Sequence, residues 1–329
     1  MGTAIPFPEH QPPGYRWFDD EPAFDPDRHL QLEAPADVLS HAELGYTSNE
    51  IATKATPVAA SSPFRVLSDE GAAIMLDSAR RLRAFVRPAG DRIEQMVRGG
   101  CYRSRWLRDL CTSQDLTSHL EKIYGIPIAP HPMPVHLGHL NFEPSTIDTA
   151  IDKWHHDTLP LDTVLTVTDP ARVAGGRFEY FVGTKHEAAQ LAAAGQTPPP
   201  DRTVAPEFPG PGWAIALHGD MVVHRAGPLT DTAERISMVN GYVGLDTSVD
   251  EQSRSADLIA VDDPVALYAE WARFAAWRTR GRLDDLIESI PFNPDREEVA
   301  AELESAIADV RRAIEEMRAG ELRMDHYGG

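Results

Sequence analysis

Cysteine is scarce in this 329-residue chain, which has only Cys101 and Cys111, neither in a Cys-x-x-Cys pair. No disulfide framework is expected, both residues read as reduced thiols, and the expected address is the cytoplasm. Long apolar runs are also missing: none approaches the roughly 20 residues of a membrane span, so no membrane partner is expected. The first residues, "MGTAIPFPEHQPPGYRWFDDEP", have neither the basic nor the apolar region of a secretory leader. Basic residues are the third shortage. Lysine and arginine number 31 against 51 acids, a net charge of −20. A surface this acidic repels phosphate backbones, so a small molecule is the expected partner and nucleic acid is not.

The length is ample for a buried core, and the texture changes along it. Residues 1 to 65 are proline-rich with little periodicity and read as an extended arm over the domain. Residues 66 to 126 read as a helical region packed on the core. "SDEGAAIMLDSARRLRAFV" places Ala72, Met75, Leu76, Ala79, Leu82 and Phe85 at helical spacing behind Ser68 as cap. A second helical stretch over 103 to 123 breaks near Thr112 and Ser113. From 127 to 247 short β-like runs follow one another, which fits a sandwich or barrel of antiparallel strands. The stretch 185 to 205, "KHEAAQLAAAGQTPPPDRTVA", reads as an insertion and a lid or wall of a site. Residues 248 to 329 return to helices, one capped by Asp263 and Pro264, another opening at Asn293 and Pro294. The last carries Leu303, Ile307, Val310, Ile314 and Met317 as one stripe, packing on the barrel or on a second subunit as a homodimer.

The chemistry concentrates in "DKWHHDTLPLDTVLTVTDP", residues 152 to 170. Strand side chains alternate faces, so His155 and Asp157 point one way and His156 the other. A third ligand is supplied by His224 in "GDMVVHRAG", and Arg235 and Ser237 follow on a common strand face. Two histidines and a carboxylate on one side of Fe(II) leave coordination positions open for a chelating co-substrate and dioxygen. Arg-x-Ser offers a planar bidentate donor and a hydroxyl to the chelator's far carboxylate. "HGD", His218 and Asp220, also spells His-x-Asp. Only His224 and His326 follow it, and it reads as the turn before the His224 strand.

In this ordered set the chain resembles the Fe(II)/2-oxoglutarate-dependent dioxygenases. Their His-x-Asp, distal His and later Arg fall here on His155, Asp157, His224 and Arg235. "KWHHD" is similar to the Trp-His-x-Asp of the phytanoyl-CoA dioxygenase-like branch. "GGRFEYFVGTKH" is similar to that branch's Gly-Gly strand, departing from its Pro-Gly-Ser-His turn at Val182 to His186. The resemblance implies a double-stranded β-helix (jelly-roll, cupin-like) core with flanking helices. It also implies Fe(II) held by His155, Asp157 and His224, 2-oxoglutarate held by Arg235 and Ser237, and dioxygen as co-substrate. The related halogenases carry Gly or Ala where Asp157 stands, so hydroxylation, desaturation or ring formation is implied instead.

Other residues stay open at this stage. His139 and Asn141 share a strand face apart from His136 and are candidates for the pocket, and Thr163 or Thr166 for the co-substrate. Arg105 and Arg108 are neighbours on a helix and read either as a clamp for a substrate carboxylate or as a solvated face. On that pair rests the expectation of a small carboxylate-bearing substrate, such as an amino acid or an intermediate of specialised metabolism; an acyl-CoA is the alternative by family analogy. Trp213 and Phe181 read as core. The alternatives in function are a cupin-like iron enzyme that does not use 2-oxoglutarate and a non-catalytic barrel that serves as a binding module.

Overall fold

The computed structural model describes residues 4–320 and Tyr327. Its centre is built from strands β1 (His139–Phe142), β2 (Ala150–His155), β3 (Leu161–Thr166), β4 (Phe178–Phe181), β5 (Thr203–Val204), β6 (Trp213–Leu217), β7 (His224–Pro228) and β8 (Ile236–Gly244). One sheet contains them in the order β6-β3-β8-β1, and a smaller one in the order β5-β4-β7-β2. Every pairing is antiparallel. The chain changes sheet at each connection except β4 to β5. That winding is the double-stranded β-helix, the jelly-roll expected from the sequence.

Alternation decides which residues reach the space between the sheets. On the large sheet, Leu140, Leu165, Met238 and Tyr242 face outward into one core. Across it lie α1 (Asp69–Leu82), α2 (Arg105–Cys111) and α3 (Gln114–Tyr124), which contribute Met75, Ala79, Trp106, Leu110 and Leu120. Burying each such large side chain contributes roughly 1.5–3 kcal/mol. The opposite parity, including Asn141, Val164, Ser237 and Val239, lines the interior. Helix boundaries follow local chemistry: the Ser68 hydroxyl accepts the Gly71 N–H at 3.0 Å to open α1, and Ser104 and Ser113 cap α2 and α3. Two more helices, α4 (Lys185–Ala193) and α5 (Pro264–Ser289), lie outside the sheets, the second capped by Asp263.

Several sequence expectations need correction. The arm is only partly extended: Val38–Ser40 and Val58–Ser61 extend the large sheet beside β6, and Ser48–Ala52 is a helix with a Thr47–Glu50 capping box. α1 stops at Leu82, so Phe85 falls in a 3-10 turn, 39% exposed, under the Arg103 guanidinium. The late helix begins after Asp295, whose carboxylate accepts the Glu297 and Glu298 amides, while Asn293 Oδ1 accepts the Asp295 N–H one turn earlier. The apolar stripe is not continuous, because the helix breaks at Ile307. Beyond the break Val310 and Met317 pack with Ala313 against the core under α5, whereas Leu303 and Ile314 are 52% and 43% exposed.

Candidate metal centre

His155 ends β2 and His224 begins β7, directly opposite each other in the antiparallel ladder. Their rings stand 4.3 Å apart between centroids. Asp157, two residues beyond His155, reaches both: its Oδ1 is 3.4 Å from His155 Nε2 and its Oδ2 3.5 Å from His224 Nε2. One ligand atom from each residue lies within 4.8 Å of the others, and among the described residues no other three His, Cys, Asp or Glu side chains come together in this way. Two donors at right angles around a first-row ion, each about 2.1 Å from it, stand about 3 Å apart, so small movements close the site on a cation.

Both rings are aimed by the main chain. His155 Nδ1 donates to the Lys153 carbonyl at 2.6 Å and His224 Nδ1 to the Val222 carbonyl at 3.0 Å. A carbonyl only accepts, so each Nδ1 carries a proton, and each Nε2 is the ring atom turned to the same point. Burial, then Arg92 and His224, bring the His155 pKa down to about 3, so its ring is neutral at ordinary pH. Burial works against the charge of Asp157, yet His224, His155 and Arg92 outweigh it and hold that carboxyl below the usual range. Two imidazoles aimed by their Nδ1 contacts and a carboxylate, all facing one point, fit Fe(II).

Arg235 and Ser237 border the same cavity. The Arg235 guanidinium is buried; its Nε donates to the Gly176 carbonyl at 3.2 Å and its Nη1 to Ser237 Oγ at 2.8 Å. Burial lowers its pKa, to about 10, leaving it charged. Among the described residues no carboxylate lies within ion-pairing distance of it. A chamber of about 260 Å³ continues behind Arg235, walled by Thr166, Thr168 and Phe208. The structure thus separates the two threonines: Thr166 faces the chamber, whereas Thr163 has the opposite parity.

His139 and Asn141 border the metal cavity, as their shared face predicts. So does His136, against expectation. Pro134–His136 is a 3-10 turn, and Gly138 at φ +59° reverses the chain before β1 starts, so strand parity does not reach His136. Arg105 and Arg108 are elsewhere. Both guanidiniums lie over the Trp17 ring, Arg105 donates to the Phe18 carbonyl and Arg108 pairs with Asp109. That places the proposed carboxylate clamp on the outside of the molecule.

The stretch 185 to 205 does not border the cavity either. The Thr184–Glu187 capping box and a Lys185–Asp220 ion pair at 3.1 Å fasten α4 to the far side of the His224 loop. The competing His218–Asp220 pair is likewise committed: the His218 ring meets His41 edge to face and Asp220 meets Lys54 at 2.8 Å. His326 lies outside the described residues. His156 faces away from the cation point, with Nδ1 on the Tyr327 hydroxyl at 2.7 Å and Nε2 on Arg254 at 3.0 Å. Phe181 is fully buried in the core, as read, while Trp213 is half-buried.

Sequence reasoning missed Arg92, Arg98, Leu258 and Val261, which also line the cavity. Arg92 pairs with Asp152 at 2.9 Å, and Asp152 Oδ1 lies 3.4 Å from His155 Nδ1. A charge ending the apolar run "RIEQMVR" was the available signal.

No family model matches the chain, and no curated protein does. Among solved structures it is similar to the non-heme alpha ketoglutarate dependent epimerase SnoN from nogalamycin biosynthesis, 18% identical over 62% of this chain and 83% of that one, TM-score 0.41. The carbocyclase SnoK of the same biosynthesis is 17% identical over 64% and 85%, TM-score 0.40. EctD from S. alaskensis, with bound Fe, is 15% identical over 72% and 90%, TM-score 0.41. Likenesses this distant carry no weight for the chemistry, which rests on the chain's own residues. Among those described, no helix is long and apolar enough to cross a membrane.

Proposed function

We propose that the protein is an Fe(II)/2-oxoglutarate-dependent oxygenase that oxidises a C–H bond of a small molecule by hydroxylation, desaturation or ring formation. The observation that carries this reading is Arg235, a buried cation without a carboxylate partner among the described residues, in one cavity with a His-Asp-His triad. An unpaired buried charge is costly, and a chelator's distal carboxylate removes that cost. His155, Asp157 and His224 hold the iron; Arg235 and Ser237 fix the far end of 2-oxoglutarate and so its orientation at the metal. With both bound, dioxygen and the keto acid supply the oxidant; for hydroxylation one oxygen atom enters the substrate and the other leaves in succinate, with carbon dioxide. Phe178 and Val164 flank the space between metal and arginine and keep it dry.

The test is anaerobic addition of Fe(II) and 2-oxoglutarate, read by the visible charge-transfer band of the chelate. A band that His224→Ala abolishes and Arg235→Ala weakens supports the reading. Iron binding without a band in the wild type overturns it in favour of an iron enzyme that does not use 2-oxoglutarate, and no iron binding leaves a binding module.

A further inference from the structure

Four arginines border the metal cavity, and three of them already have a carboxylate partner. Arg92 pairs with Asp152 at 2.9 Å, Arg98 with Asp262 at 2.7 Å and Arg225 with Glu179 at 2.7 Å. The first two pairs are buried on both sides. Arg235 is the exception and, on the reading above, is taken by 2-oxoglutarate. With Asp157, a divalent ion and the dianionic keto acid, the formal charges around Arg235 also cancel. No cation remains for a substrate anion, and bringing one in means desolvating it without a partner.

Polar groups without partners do remain, and they are neutral. His139 Nε2 and Asn141 Oδ1 are buried beside the cavity; the two side chains approach each other, and neither atom has a well-formed hydrogen bond among the described residues. Burial brings the His139 pKa down to about 3, so its ring is uncharged. His136 Nδ1 accepts from Arg98 Nη2 at 3.4 Å, which leaves the His136 proton on Nε2 as a donor. Orphaned buried donors and acceptors of this kind signal a ligand group that completes them. Around them the wall is apolar: Ile93, Met96, Leu258 and Val261.

We infer that the site takes an uncharged substrate, a hydroxyl- or amide-bearing molecule with an apolar body, which His139 and Asn141 hydrogen-bond and Ile93, Met96, Leu258 and Val261 enclose. Carboxylates of the same skeleton are rejected, because each arginine within reach is already paired. This inference rests on the proposed iron and 2-oxoglutarate site and reverses the expectation drawn from Arg105 and Arg108.

The experiment uses the full-length protein loaded anaerobically with Fe(II) and 2-oxoglutarate. The probes are hexanol, hexanamide and hexanoate, then cyclohexylmethanol, cyclohexanecarboxamide and cyclohexanecarboxylate. Each is titrated while the charge-transfer band is followed, since a ligand beside the metal perturbs it. The alcohols or amides should bind at least about tenfold more tightly than their acids, the scale of one buried polar group left unpaired. Asn141→Leu should lose about tenfold for alcohol and amide and leave the acids unchanged, whereas His139→Gln, which keeps a donor and an acceptor, should retain most of the preference. An acid that binds as tightly as its own alcohol overturns the inference, as does a panel in which no alcohol or amide perturbs the band. Absence of the band before any probe is added is a different result, and it removes the iron reading itself.

Discussion

Gly219 lies against Asp157 so closely that the two residues share one space. The Gly219 carbonyl accepts the Asp157 N–H at 2.8 Å, and a Cβ on Gly219 would stand 3.0 Å from Asp157 Oδ2 and 2.2 Å from Asp162 Oδ2. Asp162 is fully buried and has no room to retreat. Gly219→Ala should therefore displace the metal-facing carboxylate while the jelly-roll still folds. Iron affinity is expected to fall by about 10–100-fold, the scale seen when support of a ligand is lost. Isothermal titration with Fe(II) or Mn(II), beside a thermal melt, separates this from unfolding; wild-type affinity in the variant would refute the tight contact.

Removing the guanidinium at position 235 acts on the co-substrate and spares the metal. Arg235→Gln should raise the KM for 2-oxoglutarate about 10²-fold, the cost of truncating one partner of a buried charged pair. Iron affinity should stay within about twofold, because no ligand atom moves. Arg235→Lys should recover part of the loss, restoring charge without the planar fork. Equal losses of iron and 2-oxoglutarate would show instead that Arg235 supports the fold.

The Arg92–Asp152 pair sits behind His155, with both side chains buried. Burial raises the Asp152 pKa to about 7 even beside Arg92, so Arg92→Met leaves a buried, protonated acid without its partner, at an expected cost of about 1–3 kcal/mol of stability by denaturant titration. The paired change Arg92→Met with Asp152→Leu should recover most of that, since no polar group then stays buried alone. A double variant no more stable than the single one would show that the pair does more than neutralise itself.

A pH dependence follows from Glu270 on α5. Its carboxylate accepts the Tyr102 hydroxyl and the Val135 N–H, each at 2.8 Å, and burial raises its pKa from 4.5 to about 8. Between those values the folded chain keeps a proton that the unfolded chain has released, so stability falls as pH rises through that window. Glu270→Gln mimics the protonated acid and should gain roughly 1–3 kcal/mol at about pH 8 and almost nothing at about pH 4.5. Denaturation midpoints at the two pH values decide it. A gain equal at both would mean that Glu270 does not titrate there.

How much of this was legible in the sequence depends on how local the signal is. His155 and Asp157 are two apart on a strand, and Arg235 and Ser237 likewise, so a period of two sufficed to pair them. Short runs and turns pointed to a sandwich or barrel of antiparallel strands, and the double-stranded winding came only with the resemblance to the dioxygenases. His136 escaped because Gly138, at positive φ, ends the parity that placed His139 and Asn141. Arg92, Arg98, Leu258 and Val261 escaped because they arrive at the cavity from segments far apart in the chain, each unremarkable alone. Arg105 and Arg108 misled for the opposite reason. They are conspicuous in an acidic sequence, yet the Trp17 ring of the arm occupies them on the outer surface.

The carbonyls of Lys153 and Val222 that orient the two histidines belong to the main chain. Every amino acid carries that oxygen, so no side-chain substitution at 153 or 222 deletes the support. The opposite end of the cavity depends on side chains alone, His139 and Asn141 among them, and each can be exchanged. Inheritance can thus rewrite what the protein accepts while leaving untouched the apparatus that acts on it.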